Sequence, residues 1–222
     1  MKKTIAFFCI IVGLATVLVV SGCSGSEAFV AGEYSSGENR IDGIVIDVSD
    51  REVKVGVSDD DQIHIEYYES ESETYDISVS EDNELTMKLI LDKEWTDFIG
   101  VKASVEYRTI KLEIPSHLLS DLTVKTTNGT IKVSDLPTLE RITLDSNGGN
   151  VEFEKIAVEE SLDVTAKNGN ISGTIIGGWD DFSISCDIKK GESNLPESKT
   201  GGEKSLTANC NNGDIYITFM AE

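Results

Sequence analysis

Leu122-Thr-Val-Lys-Thr-Thr-Asn-Gly-Thr-Ile-Lys-Val133 decides the fold. Apolar and polar residues alternate on both sides of Asn128-Gly129, the pattern of two half-buried strands joined by a turn. Twenty residues on, Ile142-Thr-Leu-Asp-Ser146, Gly149-Asn150 and Val151-Glu-Phe153 repeat it. Leu162-Asp-Val-Thr-Ala166, Asn168-Gly169-Asn170 and Ile171 make a third copy. Phe182-Ser-Ile-Ser-Cys186 with Gly191 starts a fourth. Leu206-Thr-Ala-Asn-Cys210, Asn212-Gly213-Asp214 and Ile215-Tyr-Ile217 make a fifth. The turn glycines 129, 149, 169, 191 and 213 are spaced 20, 20, 22 and 22. Such a period marks a stacked-repeat architecture.

Aligned by their apolar residues, the copies give three inward columns. The first holds Leu122, Ile142, Leu162, Phe182 and Leu206; the second holds Val124, Leu144, Val164, Ile184 and Ala208. The third is small throughout: Thr126, Ser146, Ala166, Cys186 and Cys210. Stacked coils about 4.8 Å apart produce columns of matched size. The expected fold is therefore all-β, a β-solenoid with coils of about 20 residues. An antiparallel meander or sandwich is the alternative, because Asn-Gly between alternating runs is also a hairpin signal. In either case the turns Asn128-Gly129, Asn168-Gly169 and Asn212-Gly213 are expected to use the positive φ that Gly and Asn tolerate.

Upstream, Ile44–Val48, Val53–Val55, Ile63–Ile65, Tyr75–Val79, Leu85–Leu89 and Thr109–Ile114 also alternate, with looser spacing. Pro115 ends the last run, since it cannot donate to a strand ladder.

At the N-terminus, Lys2 and Lys3 precede an apolar run from Ile5 to Val20, too short to span a bilayer and suited to a signal peptide. Val20-Ser-Gly-Cys23 follows and resembles the bacterial lipobox, in which the cysteine takes a lipid such as a palmitate-bearing diacylglyceryl group and the chain is cut before it. Residues 1–22 are read as the signal and Cys23 as the lipidation site. Residues 23–40, rich in Ser, Gly and Glu, are read as a flexible tether, and 41–220 as the domain. The expected location is the extracytoplasmic side of a cell membrane, held by the lipid on Cys23.

The chain carries a net charge of −21, and loss of Lys2 and Lys3 takes the mature form to −23. Phosphate binding needs a basic patch, so no nucleic-acid partner is expected. Asp59-Asp60-Asp61 offers the oxygen ligands Ca²⁺ takes, but without EF-hand spacing it reads as a solvated turn. No cofactor or metal is expected. Cys186 and Cys210 fall in one column of neighbouring copies, which raises a disulfide; two buried thiols in a small-residue column are the favoured reading. Trp95 and Trp179 are read as packing residues ahead of sugar-stacking platforms.

Thr126-Thr-Asn-Gly-Thr-Ile131, Ala166-Lys-Asn-Gly-Asn-Ile171, Asn209-Cys-Asn-Asn-Gly-Asp-Ile215 and Ile110-Lys-Leu-Glu-Ile-Pro115 together resemble a bacterial putative-adhesin family of unknown function with β-strand repeats. The resemblance runs from about Ile41 to Phe219. It implies a β-solenoid, an envelope location and no established enzymatic activity. The function expected is a noncatalytic surface module for binding or adhesion, with an envelope protein or glycan as its partner, or an accessory role in the cell envelope. The alternative is a β-helical polysaccharide-acting enzyme, which needs clustered carboxylates and a base; Arg141 is the one arginine in the five copies.

Overall fold

The computed structural model describes residues 28–92, 103–117 and 121–221. The signal, Cys23 and Trp95 lie outside the described residues. In chain order the strands are β1 (Val30–Ser35), β2 (Gly43–Asp47), β3 (Glu52–Val57), β4 (His64–Glu69), β5 (Glu73–Val79), β6 (Glu84–Leu91), β7 (Thr109–Ile114), β8 (Asp121–Thr126) and β9 (Ile131–Ser134). Then come β10 (Leu139–Ser146), β11 (Val151–Ile156), β12 (Val158–Asn168), β13 (Ile171–Ile176), β14 (Phe182–Lys190), β15 (Ser198–Lys199), β16 (Lys204–Asn212) and β17 (Ile215–Met220). One sheet runs β1-β4-β7-β3-β9-β11-β13-β17, and the other β15-β14-β16-β12-β10-β8-β2-β6-β5.

The two strands flanking each Asn-Gly turn lie in different sheets. β8 and β9 are not paired; β8 pairs in parallel with β10, and β9 in parallel with β11. The hairpin alternative is thereby overturned for the repeats: the first, second, third and fifth copies each add one parallel strand to each sheet. Residues one period apart lie side by side, Ile142 on Leu122 and on Leu162, Leu144 on Val124 and on Val164. Their inward side chains, with Ile131, Val133, Val151, Ile171, Ile215 and Ile217 opposite, form one continuous buried core.

The stacking order departs from the chain order at both ends. The unit β16/β17 sits directly on β12/β13, and β14 lies outside β16. At the other end β2/β3 lies against β8/β9, while β6 and β7 lie outside β2 and β3. The fourth copy has a physical reason to be displaced. Past its turn it reads Ser193-Asn-Leu-Pro196, which has no apolar alternation to bury and a proline that breaks the ladder. It supplies only an isolated bridge, Ser193 to Ile215. As the last parallel strand of its sheet, with only the two-residue β15 beyond it, β14 leaves no gap in the opposite sheet.

This order also corrects the columns. Ile184 pairs with Leu206, Cys186 with Ala208 and Ile188 with Cys210, while Phe182 stands beside Lys204. The fourth copy is thus shifted by two residues from the apolar alignment. The 22-residue glycine spacing already contained this register, since 184 and 186 lie 22 before 206 and 208.

The tether reading of 23–40 is corrected too. Val30–Ser35 forms β1, antiparallel to β4, with Tyr34 packed on the core. Ser36 is buried, and its hydroxyl accepts from Ile63 N–H at 3.0 Å. The Ser/Gly-rich composition hid a short strand whose only strong apolar members are Val30 and Tyr34.

Antiparallel strands close both ends: β1 and β4 beyond β7, β5 beyond β6, and the two-residue β15 beyond β14. Open parallel edges invite strand addition, and short or covered edges blunt it. The β17 edge is covered by one side chain. Asn194 accepts from Ile217 N–H at 2.9 Å and donates to Ile217 O at 2.7 Å, so its carboxamide takes the place of a neighbouring peptide group.

Candidate functional site

The predicted turn residues come together in a single line along one edge of the stack. Their chemistry differs from the expectation. Gly129, Gly149 and Gly169 do not use positive φ; among the turn glycines only Gly191 and Gly213 do. The glycines are required by close approach. A Cβ on Gly149 would overlap the carbonyl of Gly129, one on Gly169 that of Gly149, one on Gly213 that of Gly169, and one on Gly191 that of Gly213. Gly129 meets Arg51 O in the same way. This succession, 51-129-149-169-213-191, is the stacking order of the sheets.

The small third column is explained by the same carbonyls. Thr126 Oγ1 donates to Arg51 O at 2.9 Å, and Ser146 Oγ donates to Gly129 O at 2.8 Å while accepting from Gly149 N–H at 2.9 Å. Cys210 Sγ lies 3.4 Å from Gly169 O as a weak donor. Ala166 occupies the equivalent place beneath Gly149 and has no donor to give. Ala166→Ser is expected to supply it, raising stability by about 0.5–1.5 kcal/mol, the usual net worth of one such bond. A melting curve checks this; a drop in Tm would show that the column has no room for a hydroxyl.

The asparagines act between coils. Asn150 Oδ1 accepts from Asn170 N–H, Asn170 Oδ1 from Asp214 N–H, and Asp214 Oδ1 from Glu192 N–H, each at 2.9 Å. Asn168 Nδ2 donates to Asn147 O at 3.1 Å, and Asn212 Nδ2 donates to Asn168 Oδ1 at 2.7 Å. The Asn128 carboxamide lies against Gly148. The turn line is a structural seam.

Cys186 and Cys210 are both buried and free. They do not share a column, because a two-residue offset separates them on neighbouring strands. That offset, about 6.6 Å along the strand with about 4.8 Å across it, puts their Cα atoms beyond disulfide reach. Burial pushes the Cys210 thiol up from its ordinary range.

Asp60 is occupied by its own loop. It accepts from His64 Nε2 at 2.9 Å, Gln62 N–H at 2.8 Å and Ser58 Oγ at 2.9 Å, and these bonds, His64 first, hold its carboxyl below the usual range. Among the described residues, no group of three His, Cys, Asp or Glu is placed to hold a metal. Arg141 is a clip across three strands, bonded to Asp121 and to Glu160 at 2.7 Å each. Trp179 is 40% exposed and packs edge-on against Phe219, with the Lys199 ammonium 5.6 Å from its ring centre.

The outer surface of the sheet containing β17 lies apart from the turn seam. Register lines up Glu66, Lys111, Lys54, Lys132, Glu152, Ser172 and Tyr216 across it. Lys111 pairs with Glu113 at 2.7 Å, and Glu52 lies 3.3 Å from Lys54 and 3.6 Å from Lys132. Beside Lys132 the surface dips into an open trough of about 500 Å³. Lys132, Ser134, Glu152, Glu154, Ser172 and Thr174 line it, together with Val133, Phe153 and Gly173. A bulge shapes this trough. Phe153 pairs with Gly173 but Ile156 pairs with Ile175, so β11 carries an extra residue, and Lys155 takes φ 49°. Gly173 gives the Phe153 ring its space. Sequence reading missed the trough; the one signal for it was the glycine at 173 interrupting an apolar column.

The model of the Toastrack DUF4097 family matches residues 41–222. The chain belongs to that family. This Toastrack chain is also similar to a solved structure of a putative cell adhesion protein from Clostridium sporogenes ATCC 15579, at 11% identity and a TM-score of 0.57, over 86% of this chain and 100% of that one. It matches a putative adhesin from Bacteroides fragilis NCTC 9343 at 13% identity and a TM-score of 0.38, over 90% of this chain and 100% of the other. No curated protein matches. The Clostridium likeness supports the fold, and the family match begins at residue 41, after β1 (Val30–Ser35).

Proposed function

We propose that the chain is a lipoprotein held by Cys23 on the extracytoplasmic side of a membrane, and that its stack acts as a β-solenoid binding module without catalytic activity. The observation that carries the binding reading is the trough on the outer surface of the β9, β11 and β13 strands. Its lining combines hydroxyls, an ammonium and two carboxylates on parallel strands fixed from both sides. Such a lining suits a polar ligand, a glycan or a polar protein segment, that is read by hydrogen bonds along an extended surface. The name of the Clostridium sporogenes neighbour agrees with a surface role.

The test is retention of the purified mature chain on a panel of neutral and anionic glycans and peptides, with and without Ca²⁺. Saturable retention without turnover is expected. Ser172→Trp, an exposed change that fills the trough, should abolish retention while leaving the melting temperature in place. Turnover of any glycan would overturn the reading, and so would retention that survives Ser172→Trp.

A further inference from the structure

The placement of β1 shortens the tether and puts an aromatic cluster beside its end. Only Ser24-Gly-Ser-Glu-Ala28 separates Cys23 from Phe29. Six steps of chain span at most about 20 Å when fully extended, and roughly 13 Å as a Gly/Ser-type coil. Whatever surface holds Cys23 therefore holds Phe29 close by.

Phe29 is stacked on Tyr107, with ring centres 5.0 Å apart and planes 5° from parallel. Tyr68 meets the same Tyr107 ring edge-on at 5.3 Å. All three rings are half-buried. Open apolar side chains flank the rings: Val30 follows Phe29 at 43% exposure, and Val105 is 56% exposed, with the exposed Glu106 between it and Tyr107. The short turn Glu106–Arg108 holds Tyr107 in place, with Arg108 N–H donating to Val105 O at 3.1 Å and Arg108 Nε donating to Ala103 O at 2.9 Å. Elsewhere the surface is dominated by carboxylates, as the net charge of −21 requires.

We propose that Phe29, Tyr68 and Tyr107, with Val30 and Val105, form a docking patch for the lipid surface, which fixes this end of the stack at the membrane interface. This rests on the reading of Cys23 as the lipidated residue. Aromatic rings, tyrosine above all, favour the headgroup level, where an apolar body and a polar tip are both accommodated. The patch is too small to hold the protein on a bilayer alone. It does not need to, because the lipid makes its encounter with the surface intramolecular, at an effective concentration in the millimolar range for so short a linker. A contact with a dissociation constant of about 1 mM is then occupied much of the time. The acidic remainder of the domain is repelled from anionic headgroups and tilts outward. The stack is thus a post with a defined foot, and its trough-bearing surface has a fixed range of angles to the membrane.

The experiment uses the full lipidated chain with Trp95 and Trp179 changed to Phe. One reporter tryptophan is introduced, as Tyr107→Trp in one variant and as Tyr216→Trp in another, at the opposite end of the sheet. Each is reconstituted into phosphatidylcholine vesicles with and without brominated acyl chains, and vesicle flotation is recorded alongside. The expected result is flotation of both, with quenching by bromolipid for Tyr107→Trp and none for Tyr216→Trp. Adding Phe29→Ser should remove the quenching and leave flotation intact. Flotation with no quenching at 107 would overturn the patch while leaving the anchor standing. A reporter at 107 shielded from aqueous quencher but untouched by bromolipid would also overturn it, by showing that protein covers the patch. Failure to float would overturn the anchor and the patch together.

Discussion

Gly149→Ala is expected to lower stability by about 3 kcal/mol, at the upper end of the usual overpacking cost, which for a domain of this size is a fall in Tm of roughly 6–12 °C. The new methyl group overlaps the Gly129 carbonyl, and backbone cannot turn aside as a flexible side chain can. The neighbours on both sides are fixed as well. Ser146 Oγ is bonded to Gly129 O and to Gly149 N–H, and Asn150 O accepts from Ile131 N–H at 2.9 Å. Relief therefore requires opening the seam between two coils. Gly56→Ala is the control. Gly56 lies in β3, nothing stands within 4 Å of its added Cβ, and its φ is not positive. It should melt at or slightly above the parent temperature, since glycine inside a strand carries an entropic cost. Equal losses at 149 and 56 would contradict the stacked-carbonyl account.

The second large effect is at Arg51, only 2% exposed. Its guanidinium forms an ion pair with Glu73, donates from Nε to the Tyr75 hydroxyl at 2.7 Å, and lies 5.9 Å from the Tyr75 ring centre. Nη1 also reaches Ser49 O and Asp50 O at 3.4 Å. These contacts tie the β2–β3 turn to β5 at the end of the opposite sheet, where the core has no further coil to cover it. Arg51→Met removes one charge and leaves Glu73 buried beside a thioether, a change that costs about 3–5 kcal/mol. Arg51→Met with Glu73→Leu should recover most of the loss, because removing both charges removes the uncompensated one. Chemical denaturation of the two single variants and the double variant measures this. A double variant as unstable as the sum of the singles would mean that the pair is not coupled.

Much of this was legible in the chain. The period of 20 survives because each coil repeats the same buried columns, so local alternation and global packing agree from Leu122 to Ile171. The order of coils was not legible, because it is decided by which strand finds which partner across long insertions. β4, β5 and β6 are laid down on the far side of β2 and β3 before β8 returns to pair with β2, and nothing local marks that return. The fourth copy misled for a related reason. Phe182 is apolar and buried, so it entered the Leu column, although its backbone stands beside Lys204. The glycines gave the true register because their constraint, contact with a neighbouring carbonyl, tolerates no substitute, whereas an apolar column accepts any residue of suitable size. Arg51 left no trace in the pattern. Its partner is 22 residues away on a strand outside the repeats, and a single arginine in a turn reads as a solvated charge. The trough was hidden likewise, since a bulge at Lys155 changes spacing by one residue in a segment that otherwise alternates well.

The functional account stands on the anchor as much as on the stack, and one measurement reaches it directly. The protein is isolated from the membrane fraction of the cells that make it, and its N-terminal peptide is read by mass spectrometry. The account predicts a mature chain that begins at Cys23 with a diacylglyceryl group on its sulfur. A chain that still begins at Met1, or a Cys23 that carries no lipid, would contradict it.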